Sequence, residues 1–168
     1  MAKGLLIPSR KNLMKPQTPV LNFIVHDERW AALIQNWQEE IASALEKTAE
    51  ELNKNFSHQE VNIVLTDDAE IQALNKTFRN FDKPTNVLSF PSGDEENLGD
   101  IIMAYETVVR EAIQEAISPL HHTLHLIIHG FLHLLGYDHD AEEEAQIMEG
   151  LEIQILSTLN ITNPYEEK

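Results

Sequence analysis

Two hydrophobic periods alternate along this chain, and the points where one gives way to the other mark its elements. The run LNFIV (21–25) reads as a strand. Trp30, Ile34, Trp37, Ile41 and Leu45 then recur at the spacing of one helix face, predicting one helix with its tryptophans in the core. VNIVLT (61–66) is rich in β-branched residues and predicts a second strand. Thr66 is a candidate cap for the helix that follows, with Asp67 and Asp68 in the first turn, Ile71, Leu74 and Phe78 inward, and an end near Arg79. NVLSF (86–90), bracketed by Pro84 and Pro91, predicts a short or edge strand. SGDEENLG (92–99) is a loop, DIIMAY (100–105) a fourth strand, and Val108, Ala112, Ile113 and Ala116 mark another helix.

Ser118-Pro119 supplies an N-cap and a proline at the first helical position, so a helix begins there and runs to about 135, where Gly136 stops it. Asp140 with Glu143 resembles a capping box for a last helix that faces inward through Met148, Leu151, Ile155 and Leu159. Together these elements predict an α+β fold: a small mixed sheet of about four strands packed against about five helices. Residues 1–19, with three prolines and no periodicity, read as a flexible lead, 20–160 as a single domain, and 161–168 as a C-terminal tail.

A length of 168 residues suits one core, and 42% hydrophobic residues argue against disorder. There is no cysteine, so any metal must be held by His, Asp or Glu. The apolar run near the N-terminus is only Leu5 to Ile7 before Pro8, too short for a signal peptide, and no run is long enough for a membrane span. A cytoplasmic protein is the expectation, with a transit peptide as second option because the lead is basic. The net charge of −16 argues against a general nucleic-acid binder. That charge is unevenly spread: Lys76, Arg79 and Lys83 cluster mid-chain, while acids gather in DAEEEAQIMEGLE, read as a solvated helix face.

The chemistry concentrates in HGFLHLLGYDH (129–139). Four residues advance a helix by slightly more than one turn, an offset of about 40°. His129 and His133 therefore share a face, as in helical zinc sites. Gly136 permits a sharp reversal, and His139 can return as a third ligand, leaving a fourth position open as in catalytic zinc sites. A lone histidine is ordinarily a polar residue on a buried helix; three at this spacing, with glycine at the turn, point to one metal ion. His125 lies on the same stripe, but His125 and His133 are about 12 Å apart along the axis, so His125 is placed in the cleft wall or behind the ligands. His26, His58, His121 and His122 read as exposed and without function. Asp138, beside His139, is a candidate to orient an imidazole or accept a proton.

Zinc proteases with this histidine spacing carry a glutamate after the first histidine as general base. Here that position is Gly130, which counts against peptide hydrolysis. Phosphodiester cleavage in RNA needs such a base less, because the substrate carries its own 2′-hydroxyl nucleophile. It needs cationic stabilisation of phosphoryl oxygens instead.

HGFLHLLGYDH resembles the HGxLHLxGYDH signature of the YbeY family. LNKTFRNFDKPTNVLSFP (74–91) is similar to that family's LNxxyRxxdxPTdVLSFP, LGDIIMAYETV (98–108) to its LGDIxIs segment, and EEEAQIMEGLEIQIL to its acidic last helix. Asn86 stands where Asp is also common. The resemblance implies an α+β endoribonuclease of ribosomal RNA maturation. It implies one zinc ion on His129, His133 and His139, Arg79 as the cleft arginine needed for activity, and Asp100 as a further cleft residue. Lys76 and Lys83, by proximity, are candidate RNA contacts. The expected partners are precursor ribosomal RNA and basic ribosomal proteins or the small ribosomal subunit, with no membrane. The alternative is an assembly or quality-control factor with a structural metal; a zinc protease ranks last.

Overall fold

The computed structural model describes residues 17–166, so most of the lead expected over 1–19 lies outside the described residues. The elements run β1 (Val20–Val25), α1 (Arg29–Leu33), α2 (Trp37–Leu52), β2 (Glu60–Thr66), α3 (Asp68–Arg79), β3 (Val87–Pro91), β4 (Asn97–Ala104), α4 (Tyr105–Glu115), α5 (Pro119–Leu134) and α6 (Glu142–Thr158). The sheet order is β1-β2-β4-β3. β1, β2 and β4 are parallel, while β3 pairs antiparallel with β4 and forms an edge. The expected four-stranded mixed sheet is present, flanked by six helices among the described residues rather than five.

The extra helix comes from a break in the first predicted one. Ile34 is extended and Asn36 is left-handed (φ 56°), a conformation that asparagine tolerates better than most residues. Trp30, Ile34, Ile41 and Leu45 still reach the core on both sides of the break. Trp30 is pinned there because its indole N–H donates to the Thr66 carbonyl at 2.9 Å. Thr66 itself remains in β2, and Asp67 caps α3 by accepting the Glu70 N–H. Asp140 caps nothing: α6 starts after Ala141 without a side-chain cap, its Glu142, Glu143 and Glu144 lying at the positive end of the helix dipole. β4 begins three residues before the predicted Asp100, and Tyr105 already belongs to α4.

Strand alternation divides the core between the two sheet faces. Val61, Ile63, Leu65, Ile101 and Met103 pack with α2, α5 and α6 on one face. Ile71, Leu88, Ile102 and Ala104 form a smaller cluster under α3 on the other. Two expected core residues stay outside: Phe78 is 63% exposed, meeting Phe90 edge-on, and Ile113 is 73% exposed. Helix α5 is the central element. Leu124, Ile127, Ile128, Phe131 and Leu132 are buried along it, and Ser118 caps its start by accepting the His121 N–H. No helix among the described residues is long and apolar enough to cross a membrane.

Helix α4 ends at Ala116, which is exposed and left-handed (φ 56°) rather than part of the helix. An alanine Cβ is strained there, and glycine is not. Replacing Ala116 by Gly is expected to raise stability by about 0.5–1 kcal/mol in urea denaturation. An unchanged or lower midpoint would show that the strain is absent.

Candidate active site

Helix α5 presents its histidines to a cleft of about 850 Å³. One wall comes from the end of α3, the following loop and β3, including Arg79, Phe81, Asn86 and Ser89. The other carries His125, His129 and His133, with His139 and Asp138 from the turn after α5, and Tyr165 from the tail.

The three histidines converge. The rings of His129 and His133 are 4.6 Å apart, those of His133 and His139 4.9 Å, and those of His129 and His139 5.5 Å, centre to centre. One nitrogen from each lies within 4.8 Å of the others. Gly136, at φ 101°, makes the reversal that returns His139. Asp138 steadies this turn by accepting the His139 backbone N–H at 2.7 Å, a bond that holds its carboxyl below the usual range.

The nitrogens of His129 and His133 have assigned roles. His129 Nδ1 is 3.0 Å from a carboxylate oxygen of Glu152, and His133 Nδ1 is 2.9 Å from the Tyr137 carbonyl. Carboxylates and carbonyls only accept, so each Nδ1 carries a hydrogen and each Nε2 presents a lone pair. The two Nε2 atoms face each other at 3.1 Å. Two lone pairs at that distance repel unless a cation or a proton lies between them. Two nitrogens on one tetrahedral zinc ion sit about 3.3 Å apart. Burial, and His129 beside it, also lower the His133 pKa, favouring the neutral imidazole that binds metal. The donor set therefore fits a divalent cation.

Glu152 is the residue sequence reasoning missed. It closes the acidic run read as a solvated face, yet it is fully buried. The reading holds for exposed Glu142, Glu143 and Glu144, and fails one helix face away, where Glu152 follows Met148 inward by four residues. An acid on that apolar stripe was the available signal. Burial alone would raise its pKa, but hydrogen bonds from His125, His129 and Tyr165 pull it down to about 2. Tyr165 donates at 2.6 Å, and His125 Nε2 lies at 3.3 Å. His125 thus stands behind His129, in the cleft wall. His122 is a further correction: it is buried, its Nε2 2.8 Å from Glu111, whose same oxygen accepts from Asn86 in the opposite wall.

Arg79 reaches the cleft from the end of α3. Its guanidinium donates to the Ser89 carbonyl at 2.8 Å and lies over Phe90, 5.3 Å from the ring centre. The Ser89 hydroxyl in turn donates to the Gly130 carbonyl at 2.9 Å, which ties β3 to the residue after His129. Asp100, Lys76 and Lys83 do not line the cleft. Asp100 accepts from Asn62 at 2.8 Å and pairs in register with Phe90, on the sheet face away from α5. Lys76 lies 3.8 Å from Asp82, and Lys83 stands over the Phe81 ring.

A family model for the endoribonuclease YbeY matches residues 23–160. The chain belongs to the YbeY endoribonuclease family. A YbeY endoribonuclease of Bradyrhizobium diazoefficiens is 41% identical over 94% of this chain and 91% of its own length. One of Azorhizobium caulinodans is 44% identical over 86% and 95%. The fold is similar to the solution structure of TM1509 from Thermotoga maritima (TM-score 0.53, 24% identity, 88% of this chain and 100% of that one). Tyr165, which donates to buried Glu152, lies beyond the segment that the YbeY model matches.

Gly130 faces the sheet, not the cleft. A Cβ there would come within 2.9 Å of Ser89 Oγ and 3.0 Å of Ile101 Cγ2. Gly130→Ala is expected to lose about 1–3 kcal/mol in urea denaturation, because strand and helix must separate; wild-type stability would show the contact to be soft. Glu152→Gln is expected to weaken metal binding by roughly 10- to 100-fold in chelator competition. Unaltered affinity would mean that the carboxylate does not orient His129.

Proposed function

We propose that this chain is a zinc-dependent endoribonuclease that cuts single-stranded RNA in ribosomal RNA processing, including small-subunit 3′-end maturation, and in ribosome quality control. Its domain is residues 20–160, followed by the tail 161–168, from which Tyr165 donates to Glu152 behind His129. One zinc ion would be held by His129, His133 and His139. The observation that carries this reading is the facing pair of Nε2 atoms 3.1 Å apart, each ring fixed from behind through Nδ1. A zinc ion there supplies Lewis acidity toward a phosphoryl oxygen.

The remaining work falls to the chain's own side chains. Glu152 holds His129 in the tautomer that points its lone pair into the cleft, and the Tyr137 carbonyl does the same for His133. Arg79, steadied by Ser89 and Phe90, places a permanent positive charge where charge gathers on the phosphoryl oxygens. With the 2′-hydroxyl available on the substrate, no glutamate is required at position 130, where the packing leaves it no space. The YbeY relatives named as endoribonucleases support RNA as the substrate. The net charge of −16 suits docking on basic ribosomal proteins of the small subunit in the cytoplasm.

Purified wild type, Arg79→Ala and His133→Ala test this together, with bound metal measured by mass spectrometry and cleavage followed on single-stranded RNA. Arg79→Ala is expected to keep its zinc and cut about 100- to 1,000-fold more slowly. His133→Ala is expected to lose both zinc and cleavage. A fully active Arg79→Ala would remove the arginine from the chemistry, and metal-free cleavage would remove the zinc. RNA binding without cleavage by the wild type would favour an assembly factor, and cleavage of casein alone a protease.

A further inference from the structure

Phe81 lines the cleft, is 57% exposed and belongs to neither apolar cluster of the core. Its backbone is nevertheless firmly placed. Asn80 ends α3 in the left-handed conformation (φ 63°), and the Phe81 N–H returns to the Asn75 carbonyl at 3.2 Å. The helix end therefore fixes where the ring starts, and among the described residues no aromatic ring or core cluster packs against it. Cations stand on both sides in sequence: Arg79 in the same cleft, and Lys83, whose ammonium lies 5.7 Å from the ring centre. In a chain of net charge −16, the ring thus has a guanidinium in the same cleft as the candidate metal ligands and an ammonium near its face, while the intervening Asp82 is paired with Lys76 at 3.8 Å.

An aromatic face with neighbouring cations is the combination that binds unpaired nucleotides. The base stacks on the ring and the adjacent phosphates meet the cations. We propose that Phe81 is a base-stacking subsite for single-stranded RNA, holding a nucleotide next to the one whose phosphate faces Arg79. Lys83 leaves the ring for a backbone phosphate when the base arrives. The subsite rests on the endoribonuclease reading and adds a source of strand selectivity to it. A base within a duplex has both faces covered by its neighbours and cannot stack on Phe81, whereas an unpaired base can.

The zinc-loaded full chain is tested on a single-stranded oligoribonucleotide with Phe81→Ala, Phe81→Leu and Phe81→Tyr. Metal content and thermal melting are measured on each variant. Phe81→Ala and Phe81→Leu are expected to raise KM by about 5- to 100-fold with kcat little changed, and Phe81→Tyr to restore it. Metal content should match wild type in all three. Wild-type KM in Phe81→Ala would overturn the subsite while leaving the nuclease reading intact, since the parent still cuts. Full rescue by leucine would also overturn it, because the contact would then be apolar and not stacking. If Phe81→Ala kept its KM and instead lost binding to ribosomal proteins, the ring would be a protein-docking residue. Failure of the wild type to bind or cut RNA would sink the nuclease reading itself, and the subsite with it.

Discussion

The closeness of α5 to the sheet at Gly130 sets the rest of the site. With no Cβ at that position, the helix backbone comes near enough to β3 for Ser89 to bond the Gly130 carbonyl. A residue one step along a helix points about 100° away, so seating Gly130 on the sheet turns His129 toward the open side. His133, one turn on, turns with it. The same contact brings the β3 edge alongside α5, and Ser89 on that edge also receives Arg79. The glycine where proteases keep their base is thus a packing requirement, and the position never faces the cleft.

The fold was largely legible because it rests on local periodicity. The strands, the cap and proline opening α5, and the stop at Gly136 all follow from side-chain pattern and backbone freedom. The departures occur where tertiary contacts overrule a local signal. The face shared by Trp30 and Leu45 reads as one helix because both halves bury the same stripe, yet Asn36 takes a left-handed turn between them. Phe78, edge-on to Phe90, and Ile113 fit a helical stripe but stay largely exposed among the described residues. Asp140 and Glu143 have capping-box spacing, but the chain enters α6 one residue too late to use it.

The site was legible in its ligand candidates and opaque behind them. Spacing on one helix brings His129 and His133 together without knowledge of the fold, and a glycine turn returns His139. Glu152, Tyr165 and Ser89 come from other elements, and their meeting with α5 depends on tertiary packing that no local spacing encodes. Charge misleads in the same way. Arg79, Lys76 and Lys83 look like one basic cluster in sequence, but only Arg79 lines the cleft, while Lys76 reaches back toward Asp82. Asp100 travels with a motif and yet lies on the opposite sheet face, bonded to Asn62.

The distribution of charge reconciles an acidic chain with an anionic substrate. A net charge of −16 repels RNA at long range, but that repulsion is screened beyond roughly 10 Å at moderate salt. What a bound strand meets at contact distance is the cleft. There Glu152 is sealed behind His129 and its charge is taken up by three donors. Asp138 is turned onto a backbone N–H. The exposed acids of α6, Glu142 to Glu144, are not among the residues lining the cleft. On the facing wall, Arg79 and the Phe81 ring present charge and a stacking surface. Asp138 and exposed Asp140 line the cleft as well, so Arg79 is its one permanent cation among the described residues, and an acidic chain approaches free RNA slowly at low salt. The proposed docking on basic proteins would offset this, because a partner bound to the acidic surface would bring the strand within reach of the cleft.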